Sequence, residues 1–222
     1  MLFPSLAAGI DGDMPEVRAS IAPDGAVSLQ TQAAGHFEAR TSAASVFTTD
    51  LPAGDIQLIE GPWTVQFTPG WGAPAAATFE SLRSWTESAE PGIRYYSGTA
   101  KYSRQIVIPG SMLRPGGQLY LDLGEVREIA QVRLNGQSLG LLWKKPFQIA
   151  LNSSAKPGSN ELEIEITNFW PNRLIGDQQL PPEKRFTRTN ITKFRADSPL
   201  LPSGLLGPVS MRVARRVKLT IR

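Results

Sequence analysis

The sequence contains no cysteine and only one histidine, His36. The lack of cysteine excludes disulfide bonds, thiolate catalysis and zinc sites built on cysteine. A single histidine gives no basis for a Ser-His-Asp or Cys-His arrangement, so His36 is interpreted as a surface or half-buried polar residue. No apolar run is long enough to span a bilayer. Residues 1–10 lack the basic start of a signal peptide, and we expect the chain to begin inside a larger protein.

Strong charge of one sign is also missing. The formal net charge is only +3, and the lysine and arginine residues are spread along the chain. A nucleic-acid-binding protein more often shows a clustered basic stripe. The basic run near the C-terminus, Arg212, Arg215, Arg216 and Lys218, is interpreted as ordinary solvent-facing residues of a strand. We therefore expect neither a nucleic-acid partner nor a membrane partner.

Hydrophobic residues make up 41% of the 222 residues, enough for a substantial core. The 20 glycines and 18 prolines are dispersed, which is typical of many turns. No segment shows a sustained helical period. The composition therefore favours short strands joined by turns.

Residues 119–151 organise the chain. Their apolar residues alternate with other residues in three short runs, as expected for half-buried strands. These are Leu119, Leu121 and Leu123, then Val132 and Leu134, then Phe147, Ile149 and Leu151. Asn135-Gly136 between the second and third runs is typical of a tight hairpin turn, because both residues tolerate positive φ.

The same alternation predicts strands at 63–67, 100–108 and 160–168, and two further strands from Val209 to Val213 and from Val217 to Ile221. Residues 69–77 and 169–203 are predicted to be loops, the second long, polar and rich in proline. The fold class predicted from this pattern is an all-β antiparallel β-sandwich of the jelly-roll type.

The first 55 residues carry a thinner apolar pattern. Residues 25–30 are predicted to be a strand, 35–40 its hairpin partner and 46–51 a third strand. The predicted division is therefore a weakly structured segment or remnant of a preceding β module at 1–55, and the sandwich at 56–222.

Several motifs carry a family resemblance. They are Leu-Asp-Leu-Gly-Glu-Val at 121–126, Val-Arg-Leu-Asn-Gly at 132–136, Leu-Trp-Lys-Lys-Pro-Phe at 142–147, Asn-Phe-Trp-Pro-Asn-Arg-Leu-Ile-Gly-Asp at 168–177 and Leu-Leu-Pro-Ser-Gly-Leu-Leu-Gly-Pro-Val at 200–209. Together they resemble the galactose-binding-like jelly roll of the glycoside hydrolase family 2 sugar-binding domain. The likeness is closer to the C-terminal domain of the α-L-rhamnosidase-like enzymes of glycoside hydrolase family 106, over residues 61–217.

The resemblance implies an accessory domain attached to a larger catalytic domain, in a secreted or periplasmic bacterial enzyme. The family's catalytic carboxylates lie in that other domain and no position here matches them, so no catalytic residue is assigned. The implied partners are carbohydrate and the parent's catalytic domain. No cofactor is expected. Because domains of this fold often hold a structural calcium ion, a site made of backbone carbonyl groups stays open.

Sugar recognition needs an aromatic platform and polar groups for the hydroxyls, because unpaired buried polar groups discriminate between ligands. Loop residues of these types are the predicted ligand-binding residues: Trp143, Lys144, Asn168, Trp170, Asn172, Arg173 and Asp177. Trp71 and Trp85 are further candidates. Each Trp has a plainer interpretation as a core residue or a contact to a neighbouring domain, and Arg173 with Asp177 as a structural ion pair.

Three hypotheses follow. The first is an accessory domain that binds glycan or buttresses the catalytic cleft, and the second is a purely structural docking module. The third, an independent enzyme, requires two facing carboxylates. Glu161, Glu163 and Glu165 share one strand face instead, and nothing in the sequence places Asp177 and Glu183 at the required separation.

Overall fold

The computed structural model describes residues 17–21, 27–40, 46–115, 117–151, 154–190 and 193–219. Its strands are β1 (Val17–Ile21), β2 (Val27–Thr31), β3 (Gly35–Arg40), β4 (Val46–Leu51), β5 (Ile56–Leu58), β6 (Trp63–Phe67), β7 (Ala76–Phe79), β8 (Thr99–Ile108), β9 (Gly117–Asp122), β10 (Glu125–Arg127), β11 (Ile129–Leu134), β12 (Gln137–Leu142), β13 (Gln148–Ala150), β14 (Gly158–Thr167), β15 (Gly204–Gly207) and β16 (Ser210–Leu219). Its α-helices are α1 (Pro91–Arg94) and α2 (Pro171–Asp177). In these ranges, no helix has the length and apolar character needed to cross a membrane.

Two six-stranded sheets form the body of the molecule. The first has the order β1-β2-β16-β9-β13, with β5 also paired to β16, and the second has the order β12-β11-β14-β8-β6-β7. Their inward side chains belong to one buried cluster, with Leu121 and Met211 from the first sheet and Tyr102 and Ile164 from the second. Apolar faces of two sheets that share one core make a sandwich. The predicted all-β antiparallel sandwich is confirmed.

Local alternation decides which side chains enter the core. Every second residue of β14 from Asn160 onward is buried, and the intervening residues are exposed or half-buried. Strand β6 alternates in the same way along its whole length. Asn135 (φ 52°) and Gly136 (φ 78°) both adopt positive φ and reverse the chain between β11 and β12, as predicted.

The organising stretch at 119–151 connects the two sheets and does not form one of its own. Strands β9 and β13 pair with each other in the first sheet, whereas β11 and β12 belong to the second. The chain therefore crosses the sandwich twice within this stretch. The alternation identified the strands, but it carries no information about which sheet each one joins.

Two strand pairings differ from the prediction. Strand β3 pairs with β4, and β2 pairs with β1 and β16, so the predicted hairpin of 25–30 with 35–40 is wrong. Strand β16 is continuous from 210 to 219, where two strands were predicted; it lies between β9, which pairs with 210–215, and β2, which pairs with 215–219. Strands β1 and β2 thus extend the first sheet, whereas β3 and β4 form a two-stranded sheet of their own. A domain boundary between 55 and 56 stays a prediction.

The predicted loops also need correction. Strand β7 begins at Ala76, inside the loop predicted at 69–77. The predicted polar loop at 169–203 contains helix α2, whose residues 172–177 are all buried. Pro171 opens this helix, where its missing N–H costs nothing. Because residues 172–177 are all buried, no face of the helix is exposed to solvent. Its sequence therefore shows no amphipathic period.

Candidate functional site

The predicted site residues gather at one end of the second sheet. The pairing of Thr99 with Thr167 fixes this end, and the register of β11 with β12 brings Leu142 opposite Ala130 there. The segments that follow β6, β12 and β14 therefore all leave from this end, which we call the α2 end. Strands β12 and β14 are separated by β11, so their ends lie roughly 10 Å apart. Trp143, Asn168 and Trp71 thus begin neighbouring loops.

Asn168 is buried and its amide is fully used inside the protein. Its Nδ2 donates to the carbonyl oxygen of Tyr96 at 3.0 Å and to the hydroxyl of Ser203 at 3.1 Å. Its Oδ1 accepts the backbone N–H of Gly98 at 2.9 Å. Asn168 therefore ties the end of β14 to two other segments and has no donor left for a ligand.

Asn172, the second residue of α2, makes a similar set of bonds. Its Nδ2 donates to the carbonyl oxygen of Leu201 at 2.7 Å and to the hydroxyl of Ser203 at 2.8 Å. Its Oδ1 accepts the backbone N–H of Leu201 at 2.8 Å. Both asparagines thus converge on Ser203, and the segment before β15 is held against α2.

Arg173 and Asp177 form a buried ion pair within α2. Nε of Arg173 lies 3.1 Å from Oδ1 of Asp177, although this N–H makes no hydrogen bond of good geometry. Asp177 also accepts the backbone N–H groups of Phe186 and Thr187 and the hydroxyl of Thr187. Burial lowers the pKa of the Arg173 guanidinium, and the charge of Asp177 opposes that change. The pair fixes the segment after α2 to the helix.

The aromatic side chains of the α2 end stay exposed. Trp170 is 60% exposed and meets Trp71 edge to face, with ring centroids 6.0 Å apart. The ring of Phe186 covers the guanidinium of Arg173 at 4.6 Å and lies against the backbone of Gly72. We call Trp71, Trp170 and Phe186 the aromatic patch. It rests on the buried polar network beneath it.

Trp143 and Lys144 stand apart from the patch, in the turn between β12 and β13. Trp143 is 67% exposed, and the ammonium group of Lys144 lies 5.5 Å from its ring centroid. Trp85, by contrast, is completely buried, and its indole N–H donates to the hydroxyl of Tyr102 at 2.6 Å. Burial raises the pKa of the Tyr102 phenol. Trp85 is therefore a core residue, the plainer of the two interpretations offered for it.

A polar cleft of about 340 Å³ lies beside α2. Thr86, Arg94, Tyr95, Ile175, Asp197 and Leu200 are among its lining residues. None of the seven predicted site residues lines it. Its walls come from four separate segments, so no sequence motif indicates it, and only the folded structure brings these residues together.

Neither a metal-ligand cluster nor a pair of carboxylates in the polar cleft is found among the described residues. No group of three or more His, Asp or Glu residues suited to a metal ion occurs in those ranges. Asp197 is the one carboxylate lining the polar cleft, whereas glycoside hydrolysis requires two. His36 pairs with Asp50 at an exposed position, and Glu163 pairs with Lys101 at 2.7 Å. These groups have structural or solvent-facing roles.

No known protein family's profile matches the chain. A protein from Formosa agariphila that carries the provisional name β-glucuronidase is 33% identical over 227 residues, which cover 91% of this chain and 19% of that protein. The structure of a rhamnosidase from Novosphingobium sp. PP1Y is 27% identical, with a TM-score of 0.71, over 94% of this chain and 24% of that chain. A β-glucuronidase from an uncultured Clostridium sp. is 19% identical with a TM-score of 0.54, over 75% of this chain and 30% of that one, and shows the fold alone.

The chain thus spans about a fifth of the curated relative and about a quarter of the rhamnosidase. In these comparisons it is similar to one region of glycoside hydrolases, and that region has the same β-sandwich fold. The predicted relation to glycoside hydrolases is supported at this level.

Proposed function

We propose that the chain is an accessory β-sandwich of the galactose-binding-like type, in a glycoside hydrolase of the α-L-rhamnosidase-like kind. Its role is contact and placement: the α2 end docks onto the catalytic part of the same protein and buttresses its cleft. Hydrolysis takes place in that other part.

The lengths of the relatives support this proposal. Nearly the whole chain matches the Formosa protein and the Novosphingobium rhamnosidase, yet each match covers a quarter of that protein or less. The matched region therefore sits beside a much larger remainder in both. An accessory position next to a catalytic domain is the simplest role for a region of this size.

The aromatic patch is the observation that carries the docking role. Exposed, clustered tryptophan and phenylalanine side chains on a rigid base are typical of protein interfaces, where aromatic residues supply most of the binding energy. Trp170 and Phe186 are 60% and 40% exposed, and Trp71 is half-buried between them and the sheet. The hydrogen-bonded network below the patch keeps these rings in place, which lowers the entropy lost on docking.

Glycan binding by all seven predicted residues is supported less well. Asn168, Asn172, Arg173 and Asp177 are buried and already bonded within the protein. Trp143, Lys144 and Trp170 remain as exposed groups, without the planar polar partners that a sugar ring would need beside them. The same four buried residues act in the proposal as the support of the docking surface.

The experiment starts from the complete reading frame that encodes this chain. We expect the whole protein to hydrolyse 4-nitrophenyl α-L-rhamnopyranoside or 4-nitrophenyl β-D-glucuronide, and the 222-residue chain to hydrolyse neither. In the whole protein, Trp71→Ser with Trp170→Ser should raise the rate at which limited proteolysis releases the sandwich by about tenfold, because each lost 1.4 kcal/mol of docking energy is a factor of ten.

Val107→Ser is the matched control, because Val107 is 62% exposed on β8 and lies outside the patch. It should leave the release rate unchanged. A reading frame without a further domain would overturn the proposal. So would hydrolysis by the isolated chain, or release of the double variant at the rate of the control.

A further inference from the structure

The polar cleft beside α2 is an open depression, and none of the three residues of the aromatic patch lines it. From its volume, rigidity and chemistry we infer that it binds one neutral saccharide unit. This inference goes beyond the docking role, because a sugar in the cleft would contact none of the three patch residues. It also uses none of the seven residues that the sequence singled out.

The size of the cleft fits one sugar ring. At about 340 Å³ it lies near the lower end of the range of small-molecule sites, which is about 300 to 1,000 Å³. Pro199, which is exposed, and Leu200, which is half-buried, contribute apolar surface to it. A pyranose ring has one face of C–H groups that packs on such a surface, while its hydroxyl groups need polar partners.

The wall formed by Tyr95 is held in one position. Nε2 of Gln179 donates to the Tyr95 hydroxyl at 2.7 Å. Gly176 of α2 approaches the Tyr95 side chain so closely that a Cβ there would lie 2.6 Å from the Cβ of Tyr95. A residue other than glycine at 176 would push the tyrosine away. A preformed wall of this kind reduces the entropy cost of binding.

Two charged side chains in the cleft have no partner. Arg94 and Asp197 both line it, and neither makes an ion pair or a side-chain hydrogen bond with any residue in the described ranges. A guanidinium donates and a carboxylate accepts, so together they satisfy both hydrogen-bonding roles of neighbouring sugar hydroxyls. Bonds that involve a charged group are the stronger ones.

Hydroxyl groups complete the polar lining. The Tyr95 oxygen accepts from Gln179, and Oγ of Ser198 accepts the backbone N–H of Arg195 at 2.9 Å. Because each hydroxyl still has its own proton, each remains able to donate to a ligand oxygen. The cleft therefore offers donors and acceptors around an apolar surface.

The balance of charge favours a neutral sugar over a uronic acid. One cation, Arg94, and one anion, Asp197, line the same cleft. A sugar carboxylate drawn to Arg94 would also be repelled by the charge of Asp197 at short range. A neutral unit meets no such opposition.

Ligand-observed NMR on the 222-residue chain tests this. The probes are three neutral sugars, methyl α-L-rhamnopyranoside, methyl β-D-galactopyranoside and methyl β-D-glucopyranoside, and one acid, methyl β-D-glucuronide. Since a single open site buries little area, we expect at least one neutral probe to bind with a Kd on the order of 1 mM. The glucuronide should bind several-fold more weakly than the best neutral probe.

Arg94→Gln and Asp197→Asn should each weaken that binding by about tenfold, the usual effect of losing a charge-assisted hydrogen bond. Both residues are exposed and without partners, so the variants should unfold at the temperature of the parent chain. Arg114→Gln, at an exposed arginine outside the cleft, is the matched control and should leave binding unchanged. The inference is overturned if no neutral probe binds, if the two variants bind as the control does, or if the glucuronide binds as tightly as the best neutral probe. None of these outcomes depends on whether the aromatic patch docks.

Discussion

Two segments at the α2 end contain similar residues and yet differ in what they do. Residues 168–177 hold their amides, guanidinium and carboxylate inside the protein; the amides and the carboxylate are bonded to neighbouring segments, and the guanidinium is paired with the carboxylate within α2. The turn between β12 and β13 holds Trp143 and Lys144 out in solvent, in contact mainly with each other. Residues 168–177 therefore hold neighbouring segments in place, whereas Trp143 and Lys144 contribute only exposed side chains.

Residue type alone therefore does not assign a site. A polar side chain in a loop is equally suited to a ligand and to the backbone of the next loop. The hydrogen-bond partners decide between them, because a buried amide that already has its partners gains nothing from a ligand. We expect the stability of the fold to depend most on the Arg173–Asp177 ion pair, less on Asn172 and least on the two exposed tryptophans.

The largest effect is expected at the ion pair. Asp177→Ala leaves the Arg173 charge buried without a partner and removes the acceptor of Phe186 and Thr187. We expect the free energy of unfolding to fall by about 3 to 5 kcal/mol, the usual cost of breaking a buried pair. Urea denaturation followed by tryptophan fluorescence measures it.

Asp197→Ala is the control for that variant, since Asp197 is exposed and its loss should cost less than about 0.5 kcal/mol. The double variant Arg173→Leu/Asp177→Leu should recover part of the loss, because it leaves no lone charge in the interior. A loss below about 1 kcal/mol in Asp177→Ala would mean that the pair does not hold the segment after α2.

An intermediate effect is expected at Asn172. Asn172→Ala removes three hydrogen bonds and leaves the backbone N–H of Leu201 without its partner, while the Leu201 carbonyl keeps only the hydroxyl of Ser203 as a donor. The expected loss is about 2 to 3 kcal/mol, at the upper end for a buried group left unpaired. Hydrogen exchange should show the Leu201 amide losing protection.

Asn190→Ala, at an exposed asparagine, is its counterpart and should leave that exchange rate as it is. If the Leu201 amide kept its protection in Asn172→Ala, the asparagine would not be what holds this segment against α2. The cleft would then need another support, because Leu200 lines it.

Much of the sandwich was predictable because the residues that indicate each strand or turn lie within that strand or turn. Leu162, Ile164 and Ile166 alternate within a single strand, and Asn135-Gly136 makes a turn by itself. Pairing across the chain is not local, and there the predictions failed. In β16, Val213 and Ala214 are both buried, which breaks the alternation just before Arg215, where pairing with β2 begins. In a sequence, such a break in the alternation indicates the end of a strand.

Ligand binding by the seven predicted site residues stays a prediction. The motif at 168–177 lies at the α2 end, and its polar residues are buried there, which the sequence did not indicate. The burial and hydrogen bonding of these side chains depend on Tyr96, Ser203 and other residues that are distant in the sequence. The polar cleft had no signal of its own, because Arg94 and Asp197 are about a hundred positions apart in the sequence. Their proximity exists only after folding.

The smallest effects are expected at the two exposed tryptophans, one in each of the two segments compared above. Trp170→Ala removes the edge-to-face contact with Trp71, so we expect a loss of about 1 kcal/mol. Trp143→Ala removes a side chain that is 67% exposed and should cost less than about 0.5 kcal/mol. Urea midpoints of the two variants, measured side by side, give the difference. Equal losses would contradict the distinction between a patch supported by the fold and a turn that only lies beside it, because the two rings would then depend equally on the structure beneath them.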